Sequence, residues 1–122
     1  MAQSVLSWLT RRAITDRAKV APEVLSQTGR DLLENGRLAE AAEFFKRAAD
    51  REGLAAILSQ AINDGDYFLY NLALQYLGQG PQGHELALLA EKANVAGRVF
   101  SRDKARAALD AQEAKTADHS GS

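Results

Sequence analysis

Between residues 29 and 48 small side chains and one phenylalanine recur at spacings that suit two helices lying against each other: Gly29, Gly36, Ala41, Phe45 and Ala48. Pro22 fits the first turn of a helix, where its missing N–H costs nothing, and Gly36 fits the left-handed residue that ends one. A helix is therefore expected over about 22–35. A second, over about 37–51, carries Leu38, Ala41, Ala42, Phe45, Ala48 and Ala49 at steps of three and four, which builds one apolar stripe. Glu40, Glu43, Lys46 and Arg47 fall on its wet side.

The rest of the chain continues in this way. Alanine and leucine are abundant, β-branched residues are few and there are two prolines, a balance that favours helix over strand. Residues 54–63 repeat the stripe with Leu54, Ile57, Leu58, Ala61 and Ile62, and end at an NDGD turn around Gly65. Asp66 is the expected N-cap of the next helix, over 67–77, where aromatics crowd in DYFLY. Gly and Pro in GQGPQG, 78–83, mark a loop. A helix over 84–95 follows, then one over 101–115, capped by Ser101 and weakly apolar enough to close the array against solvent. With an N-terminal helix over about 4–17, built on Val5, Leu6, Trp8 and Leu9, the expectation is an all-α fold of about seven helices in antiparallel hairpins. A length of 122 residues suits a single domain, placed here at 1–115 with a disordered tail at 116–122.

The spacing from Gly29 through Leu32, Gly36, Ala41, Phe45 and Ala48 resembles the tetratricopeptide repeat, a helix–turn–helix unit of about 34 residues. The resemblance covers residues 22 to about 52. It implies that Gly29 contacts the partner helix, that Gly36 is the turn glycine, and that Ala41, Ala48 and Phe45 are the small and large positions of the second helix. The family's large aromatic in the first helix is replaced by Leu25, its closing proline is missing with Gly53 near the place, and Tyr70 stands where Ala41 does in the first unit. The turn glycines are 29 and 32 residues apart, from Gly36 to Gly65 to Gly97, so the period is not strict. A right-handed stack of this kind and a small irregular bundle both satisfy the pattern.

A stack of hairpins implies a binding protein, because its first helices line a groove that takes peptides or helices. On the first helix of the recognisable unit, Glu23, Ser26, Gln27, Arg30 and Leu33 lie opposite Leu25, Gly29 and Leu32 and are the expected groove residues, with Arg30 a partner for a ligand carboxylate. Tyr67 and Phe68 point about 100° apart on a helix, so either two neighbouring helices cover this one and the cluster packs in the core, or one aromatic, Tyr67 or Tyr70, is offered to a partner. Self-association through an uncapped end is a further expectation.

Chemistry finds little support. There is no cysteine, which excludes disulfides and thiolate sites. His84 and Glu85 lack the second histidine of a zinc-protease helix, and neither a Gly-x-Ser-x-Gly elbow nor a phosphate loop occurs. Asp64 and Asp66 lack the glutamate of a calcium loop. No cofactor, metal or catalytic residue is expected, and the chain is read as a non-enzymatic adaptor. Two alternatives remain. The basic stretches 11–19 and 98–106, each carrying a net +3, suit phosphate contacts; SVLSWLTRRAI suits attachment to a membrane surface. The apolar run VLSWL is too short for a signal-peptide core and no run is long enough to span a bilayer, so a cytoplasmic location is expected.

Overall fold

The computed structural model describes residues 20–120, with side chains to residue 116; the helix expected over 4–17 lies outside this range. Six α-helices follow one another among the described residues: α1 (Pro22–Glu34), α2 (Leu38–Arg47), α3 (Arg51–Asp64), α4 (Tyr67–Leu77), α5 (Gly83–Val95) and α6 (Val99–Ser120). They pair as three consecutive hairpins, α1 with α2, α3 with α4, and α5 with α6. Across hairpins, α1 packs on α3 and α3 on α5, while α2 packs on α4 and α4 on α6. First helices thus form one layer and second helices the other, with α2 also against α3.

The turns inside the hairpins are copies of each other. Gly36, Gly65 and Gly97 all take a left-handed backbone, and the N–H of the following residue reaches back to a carbonyl five positions earlier: Arg37 to Leu32 at 2.9 Å, Asp66 to Ala61 at 2.8 Å, Arg98 to Ala93 at 2.8 Å. This pairs carbonyls that the helix end would otherwise leave open. The carbonyls of Arg37, Asp66 and Arg98 then accept the first bonds of the next helices, from Ala41, Tyr70 and Arg102. The three second helices therefore begin in one register.

Phe45 of α2 is the centre of the first junction. It is 1% exposed, and a Cβ on Gly29 would lie 2.7 Å from its ring. Gly53 in the first turn of α3 is as close from the other side. The helix α3 starts three residues before the expected position, because the Asp50 carboxylate accepts the Gly53 N–H at 2.9 Å and caps the helix there. Gly53 is thus a packing glycine inside a helix. Asp50 also accepts from the Ser26 hydroxyl at 2.9 Å, tying α1 to the start of α3. The Gly53 N–H above all, with help from Ser26 and Arg30, holds the Asp50 carboxyl below its usual range.

The helix α4 lies between α2 and α6 in its layer, which explains its aromatic load. The Tyr76 hydroxyl donates to Glu43 of α2 at 2.6 Å. Tyr70 is fully buried, donating to Glu85 of α5 at 2.8 Å and accepting the Gln82 N–H at 3.3 Å; burial, with the Glu85 bond adding to it, raises its phenol pKa. The last helix differs from expectation at both ends. It begins at Val99, and buried Ser101 accepts the Tyr67 N–H at 3.0 Å, so its hydroxyl serves the start of α4 and not its own helix. It runs through Ser120, past the expected end at 115.

Candidate interaction site

The common register of the three turns determines which side chains line up along one edge of the stack. The third residue after each turn glycine is Ala39, Phe68 and Phe100 in successive hairpins. Phe68 is 56% and Phe100 66% exposed, and their rings stack across the hairpin boundary with centroids 5.9 Å apart and planes 14° from parallel. Tyr67, half-buried, meets Phe68 edge-on at 5.9 Å. The Lys104 ammonium lies 5.5 Å from the Phe100 ring centre, close enough for a cation–π attraction. Val95 and Val99 are also exposed nearby in sequence, at the end of α5 and the start of α6. Two phenylalanines more than half exposed thus form a contiguous apolar patch on this edge.

Where the third aromatic of the series would stand, the first hairpin has Ala39, and here the surface opens into a groove of about 710 Å³. Leu38, Leu69 and Leu72 supply its apolar lining, and Phe68 forms part of its wall. Phe68 therefore borders the groove and stacks on Phe100, which does not line it. Charged groups of both signs surround the opening. Arg37 and Glu40 neutralise each other at 2.6 Å. Asp66 caps α4 through the Leu69 N–H at 3.1 Å, and Asp64 accepts from Gln60 at 2.9 Å. The Arg98 side chain, also on the lining, makes no hydrogen bond or ion pair among the described residues.

The residues expected to line a groove on α1 behave otherwise. Ser26 is engaged with Asp50. Arg30 donates to Gln27 at 3.1 Å, and Gln27 to Asp31 at 3.0 Å, so the helix satisfies its own polar groups along that face. Glu23 is exposed in the first turn. Leu33 alone of the five lines a depression, about 450 Å³ between α1 and α3 with Ala56 and Gln60. Of the two tyrosines, Tyr67 adjoins the exposed aromatic edge, whereas Tyr70 is corrected to a core residue: at 0% exposure it presents nothing to a partner. The aromatic offered outward is Phe68, one step along the helix from the first tyrosine and two from the second.

Sequence reasoning missed Ala39 as a gap and Phe68 and Phe100 as outward rings; setting the three turn glycines one above another would have found them, since each stands three residues after its glycine. Arg98 belongs to the basic stretch 98–106 singled out above. Among the described residues no group of three acidic or histidine side chains could hold a metal, and no helix is long and apolar enough to cross a membrane. Comparison with models of known protein families, with characterised proteins and with solved structures finds no match to the chain.

Proposed function

We propose that this chain is a non-enzymatic protein-interaction module of the tetratricopeptide-like kind, an adaptor that takes up a peptide or helix of another protein on the edge formed by the starts of α2, α4 and α6. The two-layer packing of three hairpins and the Gly29–Phe45 contact support the repeat reading. The observation that carries the binding reading is the exposed Phe68–Phe100 stack beside an apolar groove. Burying two phenylalanines of this exposure supplies the kind of anchor that dominates interface energies. The α1 face expected from the sequence gives way to this edge because Gln27, Arg30 and Asp31 on it already hydrogen-bond one another.

The test is affinity capture with the intact chain and with a Phe68→Ala/Phe100→Ala variant of equal helicity, identifying what each retains from a lysate at moderate salt. Proteins held by the first and lost from the second are the expected result. An identical set on both would remove this edge from the function.

A further inference from the structure

Independently of any partner, we infer that the groove is the dock for the chain's own N-terminal segment: Trp8 seats beside Ala39 against Leu38, Leu72 and the ring of Phe68, and Arg11 and Arg12 meet Glu34 and Asp64. Charge selects this occupant. The groove lining carries Arg37 and Arg98 against Glu40, Asp64 and Asp66, a net −1. The Gln60 amide and the Leu69 N–H that donate to the two aspartates are neutral and leave their charge uncompensated. The smaller depression between α1 and α3 shares Gly36, Leu38 and Asp64 with the groove and adds Glu34, so across the two hollows the balance is −2. A basic segment with a large apolar anchor suits them, and an acidic peptide or a nucleic-acid strand does not. SVLSWLTRR, residues 4–12, sets Val5, Leu6, Trp8 and Leu9 beside two arginines and contains no acid.

Length and direction agree with charge. Gly36 lines both hollows, which puts them at the turn end of α1, whereas Val20 stands at the other end, just before Pro22. The 13 residues of α1 measure about 20 Å at about 1.5 Å each, and the groove lies about one helix spacing, 8–10 Å, to the side. Val20 is thus about 22 Å from the groove. Trp8 stands twelve positions before Val20, a stretch that spans about 18 Å wound as a helix and up to about 40 Å extended. The distance falls inside that interval. A path along the seam of α1 and α3 crosses the smaller depression before it reaches the groove. With Trp8 in the groove, Arg11 and Arg12, three and four positions nearer to α1, arrive over Glu34 and Asp64. The indole also fills the place that Ala39 leaves open, where the later hairpins carry Phe68 and Phe100, and it gains ring contact with Phe68 as well as apolar area.

Trp8 is the only tryptophan of the chain, so its fluorescence in the full-length protein reports the docking. Its emission is expected to be blue-shifted from that of the denatured chain, protected from acrylamide quenching and independent of protein concentration. Ala39→Arg, at an exposed position near the start of α2, fills the groove and adds a cation; it should return Trp8 to the solvent value with the circular dichroism unchanged. Arg11→Glu together with Arg12→Glu should weaken docking by about four- to twentyfold, at about two- to fivefold for each exposed pair. Adding Glu34→Arg and Asp64→Arg to that variant should restore it. A solvent-exposed Trp8 in the unaltered chain, a shielded one indifferent to Ala39→Arg, or reversed charges that do not rescue each other would overturn the inference. Shielding that disappears on dilution would give the groove to the segment of a second copy, and shielding gained only with anionic lipid vesicles would give the segment to a membrane surface; either result overturns it too. None of these readouts involves capture of a partner, so the adaptor reading stands or falls separately.

Discussion

Phe45 and Phe68 sit at different depths on neighbouring second helices, and the same side chain does opposite work in the two places. Phe45 is closed in by Gly29 on α1 and Gly53 on α3, at 1% exposure. Phe68 keeps 56% of its surface in solvent, with Phe100 stacked on it and Tyr67 edge-on to it. The contrast lies in the glycines. Two small residues opposite Phe45 let α1 and α3 close over it, and nothing comparable covers Phe68. Burial of the first joins two hairpins; exposure of the second leaves apolar area in solvent, which the proposed function assigns to a partner.

The comparison is broken most severely at Phe45. Phe45→Ala should destabilise the fold by about 3–5 kcal/mol, since helices on both sides are fixed by their own turns and cannot collapse into the gap. Denaturant titration measures this, and a loss under 1 kcal/mol would show the junction to be unimportant. Gly29→Ala tests the same contact from the opposite direction. Alanine favours the helix by up to about 1 kcal/mol, yet its Cβ would stand 2.7 Å from a ring with no room to retreat. Overpacking costs about 1–3 kcal/mol, so a net loss of about 1 kcal/mol is expected in the same titration. A gain would mean that Phe45 can move.

This junction was the most legible part of the chain. The tetratricopeptide resemblance implies the places of Gly29, Gly36, Ala41 and Phe45, and α1, α2, α4 and α5 fall within a few residues of expectation. Element ends were less legible where a side chain serves a distant helix: nothing local to Ser101 says that its hydroxyl answers the N–H of Tyr67, 34 residues away. The outward face of DYFLY was hidden for a related reason. With α2, α3 and α6 all packed on α4, apolar residues surround that helix and periodicity does not select one face, so the spacing of the cluster does not tell that Tyr70 is buried and Phe68 exposed.

Asp50 lies at the Phe45 junction, its N–H bonded to the Phe45 carbonyl at 2.9 Å, and it makes the comparison pH-dependent. Its folded pKa is lowered, chiefly by the Gly53 N–H, so its stabilising contribution is complete above the unfolded value of about 3.9. That contribution is lost as pH falls through the lower folded value. Asp50→Ala should cost about 1 kcal/mol at pH 7, as for an N-cap, and should reduce the fall in stability below pH 4. Thermal melts from pH 7 to pH 2 check this; equal acid sensitivity in the two proteins would assign the loss to other carboxylates.

The smallest effect on folding is expected at Phe68, and that smallness is what separates the two phenylalanines. Phe68→Ala removes a ring that is more than half solvated, leaves no cavity and gains helix propensity, so stability should change by no more than about 0.5 kcal/mol. The same substitution exposes one face of Phe100 and removes a wall of the groove. A ring retained for stability would show its cost in the melt; one retained for a partner shows it only when the partner is added. Melting and capture on the same variant therefore give a direct answer. A loss of 2 kcal/mol or more in the melt would make Phe68 a second Phe45, and the exposed edge a part of the fold.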